Sequence, residues 1–319
     1  MDQRLQTSLT HYQPHCLILF LHKPILVQKL YASGCSTLVY QAYCGQEEIV
    51  LRELCPQGLS EQGYLTRQPD GYLSITGDRD LQRQWGWERK RFARAVWLNL
   101  RMQRHPSLKR WVIPLEGLFR RNGTLYAPTK LPAGIPLLSL TDACAADVFA
   151  AAVRILEMTE AIHHFGWLLV DIKASNYVFF PLADGRRDLR LTDLDSAVSL
   201  KQLAKQRRFL CSSATAPPEL LQNRAREAGP HSDVYSIAAT LLSALARQPL
   251  QGDLRCLFWN NVAPELSHWQ ADSVRQLEEL LLHALAPEPS HRLPSCQAMR
   301  KELEQICQKE DVNIESLFT

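Results

Sequence analysis

Apolar and polar positions alternate in short runs along the first part of the chain. Ile25 to Tyr31 and Leu38 to Tyr43 flank a small polar turn containing Gly34, and Glu48 to Leu54 alternates until Pro56 stops it. These segments predict three short antiparallel strands joined by turns. Tyr64 to Ile75, with Pro69-Asp70-Gly71 at its centre, predicts an extra hairpin from its turn chemistry. From Asp78 to Met102 there is no proline, and Phe92, Val96 and Leu100 recur at helical spacing, so a long helix is expected to end before Pro106. Trp85, Trp87 and Trp97 are expected to pack that helix against the sheet. Strands return at Val112 to Phe119 and Leu125 to Thr129 around Asn122-Gly123, a strong hairpin signal.

Past Leu131-Pro132-Ala133-Gly134 the period changes from two to 3.6. Asp142 to His164 carries Val148, Ala152, Ile155, Met158 and Ile162 along one helical face. Asp233 to Ala246 is so apolar that it predicts a central buried helix, and Val274 to Ala286 and Ser295 to Cys307 read as amphipathic helices. The pattern predicts an α+β protein of two lobes. A 1–24 extension and a strand-rich small lobe (25–130) precede a larger helical lobe (131–307) and a 308–319 tail.

Composition narrows the class. The 319 residues are 46% apolar and 22% charged, an ordinary globular balance. With 36 basic and 33 acidic residues the net charge is only +3, which gives no global attraction to nucleic acid or anionic lipid. The longest purely apolar run, Cys16 to Leu21, is far below the ~20 residues a spanning helix needs. It lacks a small-residue cleavage site and is expected as an N-terminal strand. Nine scattered cysteines without a C-x-x-C pair argue against a disulfide framework or a structural zinc, and for a reducing cytoplasm.

The chemistry concentrates in Leu169-Val170-Asp171-Ile172-Lys173-Ala174-Ser175-Asn176. Asp193-Leu194-Asp195 follows after two short apolar strands, Tyr177 to Phe180 and Leu189 to Leu191. Phosphoryl transfer needs a carboxylate for the acceptor hydroxyl, a cation beside the transferred group and oxygen ligands for Mg²⁺. Asp171, Lys173, Asn176 and Asp193 supply those groups in that order. Alone, a D-x-K-x-x-N stretch is equally a solvated turn.

Together these segments resemble the catalytic and metal-binding loops of protein kinases, H-R-D-x-x-x-x-N followed by D-F-G. Ala216-Pro217-Pro218-Glu219 looks like the end of a kinase activation segment, Ser232-Asp233-Val234-Tyr235-Ser236 like the family's D-x-(W/Y)-S, and Arg292 stands where the family keeps an arginine. The resemblance implies a bilobal fold, ATP and Mg²⁺ as cofactors and a protein as substrate. It implies Asp171 and Lys173 as catalytic groups, with Asn176, Asp193 and Asp195 at the metal. A buried Glu219–Arg292 pair, and Asp233 bracing the catalytic-loop backbone, are expected by the same resemblance. Ser212 falls where the family has a hydroxyl touching the catalytic Asp and Lys.

The strand-rich half departs from the pattern. Of G-x-G-x-x-G-x-V only Gly34 and Val39 remain, and Arg52 replaces the nucleotide-contacting lysine. Guanidinium is a broad planar fork where ammonium is a compact point charge. Ala95 stands where the lysine's glutamate partner belongs, and Glu88, two turns away, is expected as a solvated surface residue. Leu169-Val170 replaces His-Arg, so no arginine is offered to a phosphorylated activation loop. Lys201, Lys205, Arg207 and Arg208 are expected on a solvated face. Two other readings stay open: a pseudokinase that binds or scaffolds, and a small-molecule kinase, suggested by the second aspartate, Asp195.

Overall fold

A computed structural model describes residues 16–20, 23–130, 138–139, 145–181 and 187–314. They form two compact units. One takes the chain up to His105 and again from Ile113 to the end of the first sheet; the other takes Pro106–Val112 and everything later.

The first unit is built on a six-stranded antiparallel sheet. In chain order its early elements are β1 (Cys16–Phe20), β2 (Lys23–Ser33), β3 (Thr37–Cys44) and β4 (Glu47–Leu54). A short helix α1 (Gln57–Glu61), a hairpin β5 (Leu65–Arg67) and β6 (Leu73–Ile75), and the long helix α2 (Arg79–Gln103) follow. The strands β7 (Phe119–Arg121) and β8 (Thr124–Lys130) complete the sheet in the order β1-β2-β3-β4-β8-β7. Cys16 to Phe20, placed in the extension by its sequence, is therefore a paired edge strand. The predicted strand from Val112 is much shorter. Val112 and Leu115 make only isolated bridges, because Pro114 and Gly117 interrupt the ladder.

Asn122 and Gly123 both have positive φ, 45° and 78°, as the two-residue turn of a right-twisted hairpin requires. Gly123 is also a docking point. The Leu73 amide donates to the Asn122 carbonyl at 2.8 Å, and a Cβ on Gly123 would lie 2.2 Å from the Leu73 oxygen. Replacing Gly123 by alanine is therefore expected to cost about 1–3 kcal/mol through strain and loss of this contact. Urea denaturation would measure it, and an unchanged midpoint would show that the β5–β6 hairpin shifts freely.

That hairpin covers one face of the sheet and neutralises a buried charge there. Glu53, fully buried, accepts from Tyr40 Oη at 2.9 Å, Tyr126 Oη at 2.8 Å and Arg67 of β5 at 2.6 Å. Side chains alternate along β4, so Arg52 lies on the opposite face, 5.8 Å from the Phe92 ring of α2. Helix α2 begins with Asp78 capping the amides of Asp80 and Leu81. Its buried arc holds Trp85, Phe92, Val96 and Met102. Trp87 and Trp97, expected in that core, are exposed instead. Their helical angles place them away from the Phe92 arc, and aromatic character alone did not reveal that.

The second unit is mainly helical. It contains β9 (Leu138–Ser139), α3 (Ala145–His164), β10 (Trp167–Leu168), β11 (Tyr177–Pro181), β12 (Arg187–Leu191) and β13 (Val198–Ser199). The helices α4 (Pro218–Leu221), α5 (Pro230–Ala246), α6 (Leu254–Leu257), α7 (Ala271–Ala284) and α8 (Cys296–Lys309) follow. Helix α5 is the expected central helix, with twelve of its residues from Ser232 to Ala246 buried. The predicted start of α3 at Asp142 and the junction at 131–134 lie outside the described residues. Among the described residues no helix is long and apolar enough to cross a membrane.

Candidate active site

Strand register assembles the chemical groups. β11 pairs with β12 so that Tyr177 faces Leu191, which brings Asn176 opposite Thr192 and next to Asp193. The Thr192 amide and hydroxyl both donate to the Asn176 carbonyl, at 2.9 and 3.1 Å. Asn176 Nδ2 donates to the Asp171 carbonyl at 2.7 Å, which leaves its amide oxygen as the acceptor of that side chain. The Asp195 amide donates to Asp193 Oδ1 at 2.8 Å, tightening the Asp193-Leu194-Asp195 turn, and Leu194 is buried as the apolar plug. Asp195 is buried as well.

Asp171 sits at the centre of a second set of contacts. Its Oδ1 accepts from the Ser212 amide at 2.8 Å, and its Oδ2 lies 2.9 Å from Lys173 Nζ. Lys173 also donates to Ser212 Oγ at 3.1 Å. The hydroxyl expected beside the Asp and Lys is thus there. Thr215, on the same segment, donates to the Ile172 carbonyl at 2.8 Å and is buried, so its hydroxyl holds the loop. Burial, with the nearby Asp171 charge, pushes the Cys211 thiol up to about 11, which keeps it neutral beside the site.

One buried support holds this loop in place, and a second ties together the segments that follow it. Asp233 of α5 accepts from the Leu169 and Val170 amides at 2.8 and 2.9 Å. These bonds fix Val170 at φ +73°, a left-handed conformation that a β-branched residue enters only under constraint. His163 Nε2 lies 2.8 Å from the same carboxylate, a contact that periodicity and spacing do not reveal. Its position in the last turn of the helix entering the loop was the available signal. The second support is the Glu219–Arg292 pair, bidentate at 2.6 and 2.8 Å, with both side chains fully buried. Burial pushes the Glu219 carboxyl up, but hydrogen bonds from Arg292 and Ser232 outweigh it and hold the group below the usual carboxylate range.

The first unit carries its own candidates. Val39 and Arg52 are register partners on β3 and β4, so they share a face. Gly34 lies in the exposed turn between β2 and β3, and its amide donates to the Thr37 carbonyl at 2.8 Å. A Cβ there would make only ordinary contacts, so the turn itself does not demand glycine. Ala95 is buried in α2. Glu88 is not the solvated residue expected: it pairs with Arg91 and is mostly buried, because Arg91 reaches it from one turn on. Lys201, Lys205, Arg207 and Arg208 are exposed, as expected.

A mainly antiparallel small unit, a helical large unit and a loop of this construction define a kinase-like fold. The chain belongs to the protein kinase family: residues 112–303, more than half its length, match the protein kinase domain. No curated protein matches it in sequence. Among solved structures it is similar to PpkA-294 in its apo form, at 19% identity and a TM-score of 0.63, covering 92% of this chain and 99% of that one. It is also similar to the PknI kinase domain of Mycobacterium tuberculosis, at 17% identity and a TM-score of 0.55, covering 91% and 98%. At such identities the likeness is one of fold.

Proposed function

We propose that this protein transfers the γ-phosphoryl group of ATP to a Ser or Thr hydroxyl of a protein substrate. The observation that carries the reading is the Asp171–Lys173 pair, bonded to Ser212 of the later segment and standing on the same loop that bonds Asn176 next to Asp193. Bound Mg²⁺-ATP would supply the phosphoryl group and the charge neutralisation on its oxygens.

The residues fit that cofactor. Mg²⁺ takes hard oxygen donors and is usually held by one or two carboxylates together with substrate phosphates. The free amide oxygen of Asn176 and the Asp193 carboxylate are donors of that kind, with Asp195 as the next carboxylate. Asp171 would orient the acceptor hydroxyl and accept its proton as the new O–P bond forms. Lys173, a point charge, would balance negative charge developing on the transferred group. Gly34, Val39 and Arg52 would contribute the nucleotide contacts of the small lobe, Arg52 to the α- and β-phosphates.

A second reading, nucleotide binding without catalysis, is favoured by Arg52 in the lysine's place and by the buried Ala95. Incubation with γ-labelled ATP, Mg²⁺ and a generic Ser/Thr acceptor protein separates the two. Transfer that needs Mg²⁺ and disappears in Asp193→Asn is expected. Thermal stabilisation by Mg²⁺-ATP with no label on any acceptor would instead establish the binding module.

A further inference from the structure

The segment between the Asp193-Leu194-Asp195 turn and Glu219 carries charge of one sign. From Ser196 to Pro218 there is no Asp or Glu, while Lys201, Lys205, Arg207 and Arg208 are all exposed. Among the described residues none of these four cationic groups has a hydrogen-bond or ion-pair partner. The segment is nevertheless held in place. Leu203, in the 3₁₀ turn Leu200–Lys205, and Phe209 are buried in one cluster with Leu168, Val170 and Leu220. The Phe209 amide donates to Asn223 Oδ1 at 2.8 Å, and Gln206 Nε2 donates to the Arg208 carbonyl at 2.7 Å. A few residues past Arg208, the Ser212 amide donates to the Asp171 carboxylate at 2.8 Å.

Granted the phosphotransfer reading of the site, on which this rests, we propose that the segment selects protein substrates whose acceptor Ser or Thr is flanked by Asp and Glu. Arg207 and Arg208 are its main determinants. An acceptor hydroxyl that reaches Asp171 lies beside Ser212, because both meet the same carboxylate. At about 3.3 Å per residue, Arg208 is within about 13 Å of Ser212 and Arg207 within about 17 Å. An extended substrate covers those distances in about four to five residues. Carboxylates about three to six residues from the acceptor therefore meet guanidinium forks, which match their geometry. Lys201 and Lys205 continue the row farther out as point charges. The segment is ordered before substrate arrives, which lowers the cost of binding.

Other anions fit less well. A single phosphate calls for several donors converging on one point. These cations are strung along the chain instead: the 3₁₀ rise of about 2.0 Å per residue alone sets Lys201 about 8 Å from Lys205. Single-stranded nucleic acid calls for exposed rings on which bases stack, and the segment's one aromatic, Phe209, is buried.

The probe is a synthetic peptide with one serine and glutamates at the third to sixth positions on both sides of it. One control has glutamine for glutamate. Another has the same composition with the glutamates gathered about ten residues or more from the serine. Exposed ion pairs are worth up to about fivefold each, so kcat/KM for the probe is expected at least about tenfold above either control, falling with salt. Arg207→Glu with Arg208→Glu is expected to remove that preference, while transfer to the glutamine peptide and the melting temperature stay unchanged. Lys301→Glu, which reverses another exposed cation on α8, should keep it. A nucleotide-free binding titration, with alanine in place of the serine, repeats the comparison of glutamate and glutamine peptides without catalysis. Failure to label any peptide or the generic acceptor protein refutes the phosphotransfer reading, and the titration then decides the surface by itself. Equal binding of the glutamate and glutamine peptides would overturn the proposal. So would a preference that survives in the arginine variant or vanishes with Lys301→Glu, or equal transfer to the peptide with distant glutamates. Tighter binding of a peptide with one phosphoserine in place of the glutamates, of a single-stranded oligonucleotide or of phosphatidylserine vesicles, lost in the arginine variant, would overturn it too.

Discussion

Asp171→Asn is expected to lower the rate of phosphoryl transfer by about 10²–10⁴-fold, the usual contribution of a positioned acid–base group. The amide keeps the shape of the carboxylate but not its symmetry. One oxygen of Asp171 accepts the Ser212 amide, and the other faces Lys173 Nζ at 2.9 Å. An asparagine that keeps the Ser212 bond must point its NH₂ at the ammonium, so donor meets donor and the lysine swings away. The variant loses both the proton acceptor and the placement of the cation. Asn176 Nδ2 also lies 3.5 Å from Asp171 Oδ2, but its shorter bond, at 2.7 Å, goes to the Asp171 carbonyl, which the substitution keeps, so Mg²⁺-ATP affinity should change less than twofold. Single-turnover kinetics with γ-labelled ATP, alongside nucleotide titration, separates the two quantities. Equal transfer by the variant and the wild type would remove Asp171 from the chemistry. A parallel collapse of nucleotide binding would mean that the residue is a structural support.

Much of this cluster was legible before the fold was known, for a physical reason. Asp171, Lys173 and Asn176 lie within six residues, and Asp193 follows a two-strand hairpin whose register is set by its apolar alternation. Local spacing therefore carried the geometry. The distant supports were legible only through resemblance. Nothing in periodicity ties Glu219 to Arg292, or Asp233 to the Leu169 and Val170 amides, across more than sixty residues of chain. Where resemblance was silent, the sequence named no partner. The Glu53–Arg67 pair joins a strand to an inserted hairpin, and the His163–Asp233 contact spans 70 residues. Tryptophan misled in the opposite direction. Its bulk suggests a core, but helical phase decides, and Trp87 and Trp97 fall out of phase with Phe92 and Val96.

Arg292→Met is expected to destabilise the protein by about 3–5 kcal/mol, a large share of the about 5–15 kcal/mol by which domains are stable. The substitution leaves the Glu219 carboxylate buried with only Ser232 Oγ, at 2.7 Å, as a remaining side-chain donor. It also strands the Ala286 and Pro287 carbonyls, which Arg292 holds at 2.6 and 2.7 Å, and removes the guanidinium from the Tyr235 ring. Adding Glu219→Gln should recover part of the loss, since an uncharged side chain no longer suffers the desolvation of an orphaned anion. The two carbonyls keep the recovery incomplete. Protonation gives an independent measure. The folded-state pKa of Glu219 is held below the ordinary value, so the pair's stability is fully present above about pH 5, and is lost as pH falls through the folded pKa. Burial raises the Asp188 carboxyl, which acts in the opposite sense, so the comparison between proteins isolates Glu219. Between about pH 5 and about pH 3 the wild type should lose unfolding free energy faster than the Glu219→Gln/Arg292→Met protein in urea titrations. Parallel curves would show that the ion pair, for all its burial, adds nothing that hydrogen bonding and packing do not already provide.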